Sequence, residues 1–76
     1  MEMSAYRYRV VGANIVYLRL VKNISQEELA CHAGVSQAYI SKIERGKVVS
    51  YSLSTLFAIA DALGVEPAVL LKERKE

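Results

Sequence analysis

The chain has 76 residues, 53% hydrophobic and 24% charged, with one proline and four glycines. That length allows one domain whose core is marginal unless it is compactly helical or shared with a partner chain, and that composition excludes a disordered tail or linker. The single cysteine, Cys31, can form no internal disulfide, and the polar start MEMSAYRYR is unlike a signal peptide. No apolar run approaches the roughly 20 residues that cross a bilayer, so a cytoplasmic protein without a membrane partner is expected.

Net charge is only +2, but it is unevenly placed. Between Arg7 and Lys47 seven basic residues (Arg7, Arg9, Arg19, Lys22, Lys42, Arg45, Lys47) face three acids (Glu27, Glu28, Glu44), whereas from Val48 onward three basic residues face four acids. Such a bias suits a polyanion, and equally an ordinary solvated surface.

Val11, Ile15 and Leu18 recur at three- and four-residue spacing and predict a first amphipathic helix over Arg9 to Lys22. The preceding residues alternate aromatic and basic (Tyr6-Arg7-Tyr8-Arg9), a pattern open to a DNA-embracing arm, a short strand or an extension of helix one, with the extension favoured. Ser25 followed by Gln26-Glu27-Glu28 is a capping box that starts a second helix running to about Ala33. Gly34 can end that helix at positive φ, Val35 can plug the corner, and Ser36 can cap a third helix two residues later. A fourth helix is expected from the Ser52/Ser54 caps through Leu56, Ile59, Ala60 and Leu63 to Gly64. Pro67 suits the first position of a short fifth helix ending near Lys72. The expected organisation is therefore an extension over 1–9, a helical domain over 10–72 and a tail over 73–76.

At about 100° per residue, Gln37, Ala38, Ser41, Lys42 and Arg45 of helix three fall within one arc of about 140°, with Ile40, Ile43 and Glu44 on the other side. An amide, a hydroxyl, a methyl and two cations on one face are the chemistry that reads base edges and phosphates in a major groove. A helix presenting that face and braced by another across a tight turn is a helix-turn-helix.

From Gly12 to Leu71 the sequence closely resembles the Cro/repressor-type (XRE-like) helix-turn-helix domains of bacteria and phages, through SQEELA, GVS, YISKIERG and SLSTLFAIADALGV. The resemblance implies an all-α, five-helix lambda-repressor-like bundle that binds double-stranded DNA, usually as a homodimer on a palindromic operator. It implies phosphate- and base-contacting roles for Gln26 and Gln37, a groove-facing Lys42, and a partly buried ion pair between Arg19 and Glu44. The loop Lys47 to Tyr51 is slightly longer than in common members and has Tyr51 where many have proline. The candidate DNA contacts are Gln26, Ser36, Gln37, Ala38, Tyr39, Ser41, Lys42, Arg45 and Lys47; Tyr39, at the edge of the arc, could equally pack on the turn.

A dimer interface is expected through Val48, Val49, Tyr51, Ala58, Ala62, Val69 and Leu70: Val48, Val49, Tyr51, Val69, Leu70 and Leu71 exceed the apolar surface that so small a core can cover, and Ala58 and Ala62 lie on the outer arc of helix four, where a free surface would more often carry charge. The rival use of that surface is a protein partner, as in antitoxins or bridging factors of this family. Cys31 and His32 are adjacent and diverge on a helix, and no second such pair exists to complete three or four ligands, so no metal or cofactor is expected. Asp61 is the only aspartate, His32 the only histidine, and there is no phosphate loop, HExxH or nucleophile elbow; enzyme activity is not expected.

Overall fold

The computed structural model describes residues 3–48 and 50–74. They form five helices, α1 (Met3–Val21), α2 (Gln26–Ala33), α3 (Gln37–Glu44), α4 (Leu53–Leu63) and α5 (Pro67–Leu71), and no strand occurs among the described residues. The all-α expectation holds, and each expected helix is present.

Helix α1 begins at Met3 rather than at Arg9, so residues 3–8 continue helix one toward the N-terminus, the alternative favoured for this stretch over an arm or a strand. Tertiary contacts account for the added turns, as they do for most helical stability in proteins. Tyr8 meets Tyr51 edge to face, with ring centroids 4.9 Å apart and planes at 78°. On another side of the helix, Tyr6 donates its hydroxyl hydrogen to the Glu73 carboxylate.

The short helices are started by side chains. Ser25 Oγ accepts from the Glu28 amide at 3.0 Å while Glu28 Oε1 accepts from the Ser25 amide at 2.9 Å, closing the capping box on α2. Ser36 Oγ accepts from the Tyr39 amide at 3.0 Å to start α3, and Ser52, not Ser54, caps α4 by accepting from the Thr55 amide at 3.1 Å. Between α2 and α3, Gly34 stands at φ 74°, and the Val35 amide returns to the Ala30 carbonyl at 3.0 Å. This compact turn fixes the angle between the two helices.

The core draws on every helix: Val11 and Ile15 from α1, Leu29 and Ala30 from α2, Ile40 and Ile43 from α3, Leu56, Ile59, Ala60 and Leu63 from α4, and Leu70 from α5. Helix α2 packs on α3 and α4, and α1 packs on α3 and α5. Gly12 lets α1 approach the end of α3, because a Cβ there would collide with the Ile43 carbonyl oxygen and lie 2.8 Å from that of Glu44. Buried Asn14 secures the other side of α1 by donating its amide to the carbonyls of Leu70 (2.8 Å) and Lys72 (2.7 Å). These are carbonyls at the end of a short helix, which has no helical donors left for them.

The surface expected for dimerisation is redistributed. Leu70 is fully buried under α1 and cannot meet a partner; within the apolar run Val69-Leu70-Leu71 periodicity alone did not set which residue faces inward. Ala58 is half-buried, and Ala62, Val48 and Tyr51 pack partly against the core, while Val49 lies outside the described residues. The large apolar side chains that α4 and α5 expose are Leu53 (66%), Phe57 (46%), Val69 and Leu71.

Candidate nucleic-acid interface

Helix α3 separates its residues as its periodicity predicts. Ile40 and Ile43 are buried, whereas Gln37, Ala38, Lys42 and Arg45 are exposed and Ser41 is half-buried between them. Tyr39 is half-buried and packs against the core, which places it at the margin of the face rather than on it. Ser36 is exposed at the head of α3 with its hydroxyl oxygen engaged in the cap. Arg45 folds back along the helix to donate from Nη1 to Ser41 Oγ at 2.8 Å, and Lys47 is exposed just beyond it.

Behind this face lies a hydrogen-bonded chain that joins three helices. Arg19 of α1 donates from Nε and Nη2 to the two carboxylate oxygens of Glu44, at 2.7 and 3.2 Å, and from Nη1 to the Ile24 carbonyl at 3.0 Å. The side chains of Arg19 and Glu44 are only 13% and 5% exposed, so this fork-to-fork pair is shielded from solvent on the inner side of α3. Gln26, at the start of α2, donates Nε2 to Glu44 Oε1 at 2.8 Å, and its own Oε1 accepts from Gln37 Nε2 at a long 3.4 Å.

The order of this chain assigns the amides. An ionised carboxylate only accepts, so Gln26 must turn its NH₂ toward Glu44 and its carbonyl oxygen toward Gln37. Gln37 then points one N–H at Gln26 and keeps its own carbonyl oxygen and second N–H for an outside partner. A donor and an acceptor side by side are what the N7 and N6 positions of adenine require. The remaining N–H of Gln26, at a helix start, suits a phosphate oxygen.

Gln26, Gln37 and the Arg19–Glu44 pair, separate features in the sequence, come together in the structure. Glu44 as the acceptor that holds Gln26 went unanticipated, since nothing in the spacing of residues 26 and 44 reports proximity. Gly12, inside a helix where glycine stands about 1 kcal/mol below alanine in propensity, is the sequence sign of the close backbone approach between α1 and α3. Cys31 and His32 are exposed, and no group of three or more His, Cys, Asp or Glu among the described residues could hold a metal ion. No helix among those residues is long and apolar enough to cross a membrane.

The sequence matches the helix-turn-helix family HTH_3 over residues 15–70. It is 38% identical over 68 residues to the uncharacterized HTH-type transcriptional regulator y4dJ of Sinorhizobium fredii, covering 90% of this chain and 87% of that one. It is 44% identical over 61 residues to the control protein C.BamHI of Bacillus amyloliquefaciens, covering 79% of this chain and 74% of the relative. The crystal structure of the restriction-modification controller protein C.AhdI from Aeromonas hydrophila is similar at a TM-score of 0.78 and 35% identity, over 83% of this chain and 94% of that one. Motif, bundle and relatives agree, and the chain belongs to the HTH_3 family of XRE-type helix-turn-helix regulators.

Proposed function

We propose that this protein is a sequence-specific DNA-binding transcription regulator that works as a repressor or autoregulator, in the cytoplasm, by occupying a palindromic operator as a dimer. The observation that carries the reading is the outer face of α3. There Gln37 is oriented through Gln26 and Glu44, and lies on the same helix as exposed Lys42 and Arg45, while the apolar side of that helix is spent on the core. A rigid helix with a preset amide and flanking cations is built to place one base contact in register with phosphate contacts. The names of the relatives, a transcriptional regulator and control proteins, support the same reading.

Dimerisation is proposed from the exposed apolar side chains of α4 and α5, Leu53, Phe57, Val69 and Leu71, with half-buried Val48, Tyr51, Ala58 and Ala62 alongside. Such side chains on so small a domain suit a second copy bearing the same patch. The same patch is what a protein-binding module would use, and selection of bound duplexes from a random pool separates the two. Recovery of a palindrome supports the regulator and its two-fold symmetry. A pool with no enriched sequence would leave the patch for another protein and end the operator reading.

A further inference from the structure

The aromatic and basic alternation ahead of the helix-turn-helix has a use that the α3 face does not absorb. Wound into α1, Arg7 and Arg9 are about 200° apart and face different surroundings. Arg7 borders a shallow apolar groove with Tyr8, Tyr51 and Leu53. Arg9 instead lays its side-chain stem across Gly46, where a Cβ would stand 2.7 Å from Arg9 Cγ. Gly46 is the residue between Arg45 and Lys47, so the absence of a side chain there admits a third cation to the end of α3.

The stem of exposed Arg9 thus crosses the residue that separates two further exposed cations, Arg45 and Lys47, at the end of α3. The acid nearest in sequence, Glu44, is turned inward and already shared by Arg19 and Gln26. Arg9 has no ion pair among the described residues; its guanidinium lies 5.9 Å from the centre of the Tyr6 ring, while Glu73 meets Tyr6 at the hydroxyl end. The helix beneath Arg9 is anchored by the Tyr8–Tyr51 contact, so the charge sits on a fixed support.

We propose that Arg9, together with Arg45 and Lys47, forms a binding site for the DNA phosphate backbone, so that α1 takes part in the interface from outside the helix-turn-helix. The inference rests on the DNA-binding reading above. Its chemistry is charge neutralisation, which releases counterions from the duplex and makes affinity fall with salt in proportion to the contacts made.

The test is binding to a mixed-sequence duplex across a salt series, comparing the parent with Arg9→Gln, Arg9→Lys, Arg7→Gln and Lys42→Ala. Arg9→Gln keeps the stem over Gly46 and removes the charge, and a melting curve checks that it folds. Its log–log salt slope should be shallower than the parent's by about 0.9 per protomer. Arg9→Lys should keep the parent slope, and so should Arg7→Gln on the groove side. An unchanged slope for Arg9→Gln, while Lys42→Ala lowers it, overturns the inference and leaves the α3 reading intact. Equal losses from Arg7→Gln and Arg9→Gln also overturn it, as an effect of net charge. A parent with no salt-dependent duplex binding overturns both.

Discussion

Gln26 Nε2 donates to Glu44 Oε1 at 2.8 Å, and through this bond a buried ion pair governs an amide on the surface. Glu44 therefore has two roles. It ties α3 to α1 through Arg19, and it decides which way Gln26, and through it Gln37, presents its donor and acceptor.

Replacing Glu44 by alanine should be costly for that reason. It strands the Arg19 guanidinium, 13% exposed, with only the Ile24 carbonyl for company. Breaking one partner out of a buried pair costs about 3–5 kcal/mol, and in a domain of this size each kcal/mol lowers Tm by roughly 4–8 °C. Thermal melting should show a fall of more than about 10 °C. A melt that coincides with the parent's would mean that the pair is solvated in solution.

Gly12→Ala sets two effects against each other. Alanine gains about 1 kcal/mol of helix propensity, but its Cβ would meet two backbone carbonyls of α3, which cannot rotate away as a side chain could. Overpacking of this kind costs about 1–3 kcal/mol and should prevail. Urea unfolding should therefore show a lower midpoint. A raised midpoint would show that α1 and α3 stand farther apart than described.

Tyr51 supplies a pH dependence. Its hydroxyl is buried without a hydrogen-bond partner among the described residues, and burial, reinforced by the nearby Tyr8 and Tyr39 phenols, pushes its pKa well above the usual tyrosine value. The folded chain thus holds that proton more tightly than the unfolded one. The associated stability is fully present below about pH 10 and is lost as pH rises beyond it. Tyr51→Phe should match or exceed the parent's Tm at neutral pH, since an unpartnered buried hydroxyl contributes nothing there. It should also flatten the alkaline decline; an identical decline in both proteins assigns the titration elsewhere.

What the sequence disclosed and what it withheld divide along physical lines. Caps at Ser25, Ser36 and Ser52, the glycine stops at Gly34 and Gly64, and the two faces of α3 are local features, set by residues within a turn or two of each other. Leu70 and the start of α1 depend instead on distant partners. Leu70 sits in a wholly apolar run with no phase of its own, and the helical extension favoured ahead of Arg9 is held by Tyr8 against Tyr51, far along the chain, so its reach to Met3 is not a local feature. The same holds at the interface. The amide and the cations of α3 are legible by spacing, whereas the order Arg19, Glu44, Gln26, Gln37 exists only once three helices meet.

That order also separates the kinds of DNA contact. If Gln37 pairs bidentately with an adenine, Gln37→Ala should cost roughly 1–3 kcal/mol per half-site and relax preference at one base pair while leaving non-specific affinity alone. Lys42→Ala should instead weaken all sequences about equally and lower the salt slope by about one per half-site. Gln26→Ala should act between the two, since it removes a phosphate donor and also frees Gln37 to turn; it should blur the same base pair that Gln37→Ala relaxes, though less. In a dimer the half-sites lie about 34–36 Å apart on one face of the duplex, so a half-turn insertion between them should abolish tight binding whichever residues read the bases. All four comparisons belong on one selected operator over a salt series. Uniform loss across base substitutions for Gln37→Ala would demote it to a backbone contact, and the base-reading role would have to pass to another residue of the α3 face.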